Sequence, residues 1–179
     1  MKQIEVTDYL PQIMKELKKG ILLSTKSGDK YNTMTIGWGQ AGIEWGKMFF
    51  TVYVRHGRFT HKQIEESKEF SINVPLNRDT AVSKAVAYCG SRSGADIDKF
   101  KDTQLTIIDG INVKSPAIKE LPLTIECKVI YQQEQNINNI PKEIADSCYP
   151  QNISSENPMA NRDFHTVYYG EIVNSYILE

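Results

Sequence analysis

The chain has 179 residues, of which 40% are hydrophobic and 24% charged, and its net charge at pH 7 is −1. This length predicts a single domain over residues 1–179 with a sizeable core. The small net charge gives no electrostatic basis for binding nucleic acid, and no apolar run approaches the ~20 residues of a membrane span. The N-terminus lacks the apolar segment of a signal peptide, and the three cysteines form no C-x-x-C. A reducing, cytoplasmic location is therefore expected.

The N-terminal half of the chain alternates helical and strand patterns. Leu10, Ile13 and Leu17 fall at helical spacing ahead of Gly20, which predicts an amphipathic helix with a glycine stop. Asp79 is a candidate N-cap for a later helix that ends at Gly90. The other patterns in this half predict strands at 21–25, 34–39, 48–54 and 70–74, and a helix at 60–67.

The C-terminal half reads mostly as strands, at 105–110, 111–115, 121–135 and 165–177. Residues 138–163 are weakly periodic and rich in Asn, Pro and Ser, which predicts a short helix followed by a long loop. Strands outnumber helices, and no regular crossover helices separate them. We therefore expect a mainly β (α+β) fold, a closed antiparallel barrel with peripheral helices.

The stretch around Thr60 is the strongest functional signal. Gln63 follows Thr60 by three residues, which is capping-box spacing and predicts Thr60 at a helix N-terminus. Such an end offers free backbone N–H groups and a partial positive charge, and it readily holds phosphate. Arg55 and Arg58 precede it, so the sequence predicts an anion site at the edge of a sheet. An ordinary helix cap is the alternative interpretation of Thr60.

Other polar residues can complete a site for a flat ligand with a phosphate tail. Asn32, Thr33 and Thr35 flank a predicted turn whose backbone can bind the edge of a heterocycle, and Trp38 can cover an aromatic face. A second polar loop offers further anion contacts. Those contacts are Ser91, Ser93 and Lys99.

Several chemistries lack a pattern in this sequence. His56 and His61 lie five residues apart across a predicted strand-to-helix turn and His165 is remote, so no metal site is predicted. Phosphate-loop, dinucleotide-binding and nucleophile-elbow motifs are absent. From the residues alone, the chain is a β-rich domain with an anion site.

Four segments, in this order, resemble the flavin reductase-like family, which includes flavoredoxin and has the FMN-binding split-barrel fold. They are NTMTIGWG, FFTVYVRHGRFTHKQIEESKEFSINVP, SKAVAYCGSRSGADIDKF and DFHTVYYGEIV, and the likeness extends over residues 22–173. The resemblance implies an antiparallel split β-barrel and a homodimer with one FMN per subunit near the interface.

The resemblance also implies roles for particular positions. The first motif lies along the isoalloxazine and ribityl chain, the long strand continues the wall, the helix start holds the phosphate, and the polar loop closes over it. The histidine of the last motif approaches the pocket or the dimer seam, or is an ordinary strand residue. With Trp38 added from the residue argument, the expected cofactor-binding set is Asn32, Thr33, Met34, Thr35, Trp38, Val54, Arg55, Arg58, Thr60, Ser91, Ser93, Lys99 and His165.

The function implied is an FMN-containing oxidoreductase that takes electrons from NAD(P)H. It would pass them to free flavin, a redox protein or a small acceptor, and no catalytic acid or base is expected because the flavin carries the chemistry. Two alternatives stay open. One is a flavoredoxin-like electron carrier without nicotinamide activity, and the other is a non-catalytic FMN-binding module.

Overall fold

The structure is a computed structural model that describes residues 1–154 and 161–179. Its elements follow the chain in this order: β1 (Lys2–Gln3), α1 (Val6–Leu17), β2 (Ile21–Ser27), β3 (Lys30–Ile36), β4 (Gly39–Glu44), β5 (Lys47–Arg55), α2 (Phe59–Ser67), β6 (Glu69–Val74), α3 (Thr80–Ser91), α4 (Lys99–Thr103), β7 (Ile107–Ile108), β8 (Ala117–Ile118), β9 (Leu123–Glu134), a 3-10 turn (Ile137–Asn139), α5 (Lys142–Cys148) and β10 (His165–Ile177).

One large antiparallel sheet organises the fold. Its strands run in the order β3-β2-β6-β9-β10-β5-β4, and β1 adds to β10. Within the described residues, β3 pairs only with β2 and β4 pairs only with β5. These two edge strands do not pair with each other, so the sheet does not close on itself. The closed barrel expected from the strand pattern is therefore wrong in that detail, whereas the split barrel is confirmed.

The two longest strands, β9 and β10, hold the core together. Their register shifts at Tyr169/Gly170 and again at Ile172/Asn174, and such irregularities bend a strand pair. Gly170 lies at the first shift, where an added Cβ would collide with the Phe70 ring and come within 2.8 Å of Cβ of Cys127. The missing side chain thus lets an aromatic ring of the core pack directly against the β10 backbone.

The apolar face of α1 covers one part of this core. Ile13 and Leu17 of that helix are buried, as the helical spacing predicted. Gly20, with φ of 95°, then turns the chain into β2. In the described part of the chain, no helix combines the length and apolarity that crossing a bilayer requires.

Most predicted elements are confirmed. Strands cover the cores of 21–25, 48–54, 70–74, 121–135 and 165–177, and a short helix, α5, opens the 138–163 segment. Asp79 caps α3, its side chain accepting from the Val82 N–H at 2.8 Å. The loop prediction for 138–163 falls partly on residues outside those described.

Three local predictions are wrong. Residues 32–35 lie inside β3 and not in a turn, because β3 already begins at Lys30. Residues 111–115 form no strand, since the buried Glu126 carboxylate accepts the N–H groups of Ile111 and Asn112 and wraps the backbone around itself. The helix α4, which carries Lys99, was not predicted.

Candidate functional site

A cavity of about 270 Å³ opens between β3, the start of α2, the end of α3 and the start of β10. Its wall draws on elements that are remote in sequence, and it contains most of the residues expected to bind a cofactor. Those that line it are Met34, Thr35, Trp38, Arg55, Arg58, Thr60, Ser93, Lys99 and His165.

The other expected positions have side chains outside the cavity wall. Thr33 is buried and its hydroxyl donates to the Leu23 carbonyl at 3.3 Å. Val54 is fully buried in the core, and the exposed Ser91 donates to the Tyr88 carbonyl at 3.1 Å. Asn32 lies just behind the wall, where its amide donates to the Thr60 hydroxyl at 2.8 Å.

The start of α2 lines the cavity, although not as a capping box. The helix begins at Phe59 with Arg58 as its N-cap, and no described side chain caps it, so the capping box is wrong, whereas the position of Thr60 at the helix N-terminus is confirmed. Thr60 is instead the second helical residue and is held by Asn32. Because its hydroxyl accepts that bond, its own proton is available to an acceptor in the cavity.

Arg58 extends beside this helix start. Its guanidinium donates to Oδ1 of Asn161 at 2.5 Å. Burial lowers the pKa of Arg58, and the neighbouring Asp163 carboxylate opposes that shift, so the side chain stays cationic. The preceding Gly57 N–H donates to Oδ2 of Asp163 at 2.6 Å, which ties the turn before α2 to the segment before β10.

Arg55 also lines the cavity but acts mainly as a structural tie. It is 9% exposed and donates to the backbone carbonyls of Cys148, Asn161 and Asp163 at 2.9, 3.0 and 2.5 Å. Its guanidinium carbon also lies 4.9 Å from the centroid of the Tyr149 ring. Arg55 therefore fastens both ends of the long loop to the sheet.

Lys99 brings a buried cation to the same wall from α4. The side chain is 4% exposed, and Nζ donates to the carbonyls of Thr33 and Cys89, each at 2.8 Å. Burial lowers the pKa of Lys99 to about 8, so the ammonium group is mostly charged at neutral pH. Two of its three N–H donors are used by these carbonyls.

The Cys89 side chain has no nucleophilic character in this position. Its thiol is buried at the end of α3, and burial raises the pKa of that thiol to about 11. Because the thiolate is the reactive form, Cys89 stays inert at neutral pH. This agrees with the sequence, which offered no cysteine in a catalytic pattern.

The cavity wall also contains aromatic rings. The Trp38 ring, 45% exposed, lies 5.1 Å from the His165 ring, centroid to centroid. Tyr149 donates its hydroxyl proton to Oε1 of Gln135 at 2.6 Å, and the same hydroxyl lies 2.8 Å from Nδ1 of His165. Since Tyr149 has only one proton, Nδ1 must be the donor, and Nε2 of His165 carries the lone pair.

Tyr149, Gln135 and Tyr53 were not foreseen. Tyr149 and Gln135 lie in or beside the weakly periodic segment, which carries no motif that points to a site. Tyr53 could have been found, because alternate residues of a strand face opposite sides. With Arg55 in the cavity, parity places Tyr53 there too and sends Val54 into the core, as observed.

The charges around the cavity have one sign. Four basic side chains line it, Arg55, Arg58, Arg92 and Lys99, and among the described residues no carboxylate does. An uncapped helix N-terminus adds partial positive charge to the same wall. This arrangement favours an anionic ligand, in agreement with the phosphate-like site expected from the sequence.

Comparison with known proteins assigns the family. Residues 14–179 match the flavin reductase like domain. The chain belongs to this family. The resemblance seen in the sequence is thereby confirmed.

Solved structures with this fold include two flavoredoxins. The flavoredoxin of Desulfovibrio vulgaris (Miyazaki F) is 25% identical, with a TM-score of 0.66 over 89% of this chain and 69% of that one. The flavoredoxin from Methanosarcina acetivorans is also 25% identical, with a TM-score of 0.64 over 89% and 68%. Among curated sequences, an uncharacterized protein of Archaeoglobus fulgidus is 33% identical over 106 residues. That match spans 59% of this chain and only 58% of the relative's length.

The buried imidazole of this family member predicts a specific acid sensitivity. Burial, reinforced by the charge of Arg55, lowers the pKa of His165 to about 4 from the ordinary 6.5. Between pH 6.5 and 4 the unfolded chain therefore takes up a proton that the folded chain does not, and acidification costs stability. The full effect is about 3 kcal/mol. In urea unfolding across this pH range, the free energy of unfolding should fall less steeply with acidification for His165→Gln than for wild type. Equal slopes of this free energy against pH would contradict the assignment.

Proposed function

We propose that the cavity binds FMN and that the protein is an oxidoreductase which draws electrons from NAD(P)H. The observation that carries the proposal is the composition of the cavity wall: four basic side chains and no carboxylate among the described residues, together with the aromatic rings of Trp38, Tyr53 and His165. FMN is a flat heterocycle with a phosphate tail, so the basic groups suit its phosphate and the aromatic rings suit its heterocycle. Membership of the flavin reductase-like family supports the same ligand.

The phosphate end is assigned to the start of α2 and its cationic neighbours. Arg58 can donate charge-assisted hydrogen bonds, Thr60 can donate its hydroxyl proton, and Lys99 supplies a third N–H donor. Ser93 lies on the same wall. A glycine at position 94 keeps the loop close, because a Cβ there would collide with the Asn32 amide oxygen.

The heterocycle end is assigned to β3. This strand pairs only with β2 among the described strands, so backbone N–H and C=O groups on its other side can bind the edge of a flat ring. The Thr35 hydroxyl already donates to the Val86 carbonyl and contributes shape more than hydrogen bonds. His165 presents Nε2 as an acceptor, and Trp38 offers an aromatic surface.

The described residues of the cavity wall can bind the cofactor and balance its negative charge. None of them is a carboxylate that could act as a general base. Bound FMN would itself supply the redox chemistry, accepting hydride from a nicotinamide and releasing electrons to free flavin, a redox protein or a small acceptor. Lys99 and Arg58 hold positive charge near the cavity at neutral pH, which stabilises an anionic cofactor. The neutral His165 can accept a hydrogen bond from the ligand, and this contact leaves the net charge of the site unchanged.

A second candidate is an electron carrier of the flavoredoxin kind without nicotinamide activity. The likeness to two flavoredoxins over 89% of the chain favours it. Both candidates require the same flavin site. They differ in whether a nicotinamide can reach and reduce the flavin.

The deciding measurement is the visible spectrum of the purified protein before and after anaerobic addition of NADH or NADPH. We expect flavin bands near one equivalent per chain that bleach within seconds to minutes. Bands that persist with nicotinamide but bleach with dithionite would favour the electron carrier. Bands that resist both would point to a non-catalytic binding module. No flavin in the protein, together with no binding of added FMN, would refute the flavin site.

The phosphate assignment predicts a selective loss in Arg58→Ala. Removing a charged hydrogen bond should weaken FMN binding by about 1.5–3 kcal/mol. Riboflavin lacks the phosphate, so its affinity should change little, and this comparison separates a lost phosphate contact from a distorted loop. The matched control is Lys62→Ala, a basic residue of the same helix whose side chain is 72% exposed. Quenching of flavin fluorescence gives the dissociation constants. Equal losses of affinity for FMN and riboflavin would contradict the assignment.

We also propose that the protein forms a homodimer through an exposed aromatic surface. Ile43, Trp45, Ile130 and Tyr131 are exposed by 76, 61, 46 and 43%. Trp45 and Tyr131 lie edge to face, with ring centroids 6.0 Å apart. Trp45 also holds a positive φ of 52° in the β4–β5 turn, a conformation that large residues rarely adopt. An aromatic patch of this kind suits burial against a second copy of the chain.

Trp45→Glu should therefore convert a dimer to a monomer. A charge placed on a buried apolar interface is not solvated, so association weakens. Ile144→Glu is the matched control, because Ile144 is 48% exposed but lies on α5, away from this patch. Sedimentation velocity at several protein concentrations gives the oligomeric state. A wild-type monomer, or a dimer that persists in Trp45→Glu, would rule out this interface.

A further inference from the structure

Two histidines and a glutamate meet outside the cavity wall. His56 follows β5, His61 lies in α2 and Glu134 ends β9, yet their ligand atoms all lie within 4.8 Å of one another. In the sequence, no motif gives these two histidines a third ligand. Glu134 is the missing carboxylate, and only the folded sheet brings it to them.

The sheet explains why the three groups meet. β10 lies between β5 and β9, with His165 opposite Arg55 and Thr166 opposite Glu134 in register. His56, next after Arg55, thus lies across β10 from Glu134. Main-chain pairing on both sides fixes these positions, so the cluster does not depend on a flexible loop.

Hydrogen bonds already connect the three side chains, in part through Thr166. The Thr166 hydroxyl donates to Oε1 of Glu134 at 2.6 Å and lies 2.8 Å from Nε2 of His61. The other carboxylate oxygen, Oε2, is hydrogen-bonded to Nε2 of His56. Thr166 orients two members of the set from behind, as partners of metal ligands commonly do.

We propose that His56, His61 and Glu134 bind one divalent metal ion such as zinc. Two imidazoles and a carboxylate are the nitrogen and oxygen ligands that zinc takes at about 2.0–2.2 Å, and a fourth position is left for water. Ligand atoms around such an ion lie about 3.3 Å apart. The side chains of His56 and Glu134 are 46 and 59% exposed, so small rotations can bring the cluster from its present spread to that distance.

A simple ion pair explains less of the arrangement. An ion pair between His56 and Glu134 would need no third member, yet the His61 ring lies 5.2 Å from that of His56, centroid to centroid. The ion would join α2, β5 and β9 next to the Arg55–Gly57 stretch without touching the flavin site.

Calorimetric titration of the tag-free full-length protein with zinc tests the proposal, whatever the flavin content. We expect one ion per chain, and a loss of affinity of at least about tenfold in His56→Gln and in Glu134→Gln. Glu44→Gln is the matched control and should bind as wild type, because Glu44 is an exposed carboxylate at the end of β4, opposite the first residue of β5. Zinc should also raise the thermal midpoint of wild type and Glu44→Gln more than that of the two ligand variants.

The opposite results overturn the site. Absence of binding to the wild type, or equal affinity in His56→Gln and Glu134→Gln, would refute it. Affinity that is kept in those variants but lost in Cys148→Ser would assign the ion to the half-buried Cys148 thiol instead. Neither outcome bears on FMN binding, so this test stands apart from that of the proposed function.

Discussion

Antiparallel pairing of β10 with β5 on one side and β9 on the other links the two candidate sites of this protein. It places His165 beside Arg55 at the cavity and Thr166 beside Glu134 at the histidine cluster. Farther along β10 its register with β9 shifts at Gly170, where the lack of a side chain admits the Phe70 ring. One central strand thus contributes to two separate sites.

The cavity concentrates positive charge that backbone carbonyls and the nearby Asp163 carboxylate offset in part. Lys99 donates to two carbonyls and Arg55 to three, and Asp163 opposes the lowering of the Arg55 pKa. Burial lowers the pKa of both Lys99 and Arg55, which reflects the cost of keeping them charged inside the protein. A bound anion would offset part of that cost. Functional sites often carry this kind of local instability.

Local patterns in the sequence foretold much of the fold and part of the site. Strand and helix periodicity located most elements, and the motifs around Arg58, Lys99 and His165 named side chains that do meet at one cavity. The failures have physical causes. Capping-box spacing misplaced the start of α2, because the N-cap is Arg58 and not Thr60. Val54 was expected at the cavity, but alternate residues of a strand face opposite sides, so Val54 lies in the core and Tyr53 at the cavity. The meeting of Glu134 with His56 depends on long-range register, which no local pattern encodes.

The grip of Arg55 on the long loop has an evolutionary consequence. Its three acceptors are backbone carbonyls, and every residue type offers one. Substitutions at positions 148, 161 and 163 therefore keep the carbonyl acceptors for Arg55, while they can change a side chain that lines the cavity, that of Asn161. Sequence drift at these positions can thus alter the edge of the cavity without removing the acceptors of Arg55.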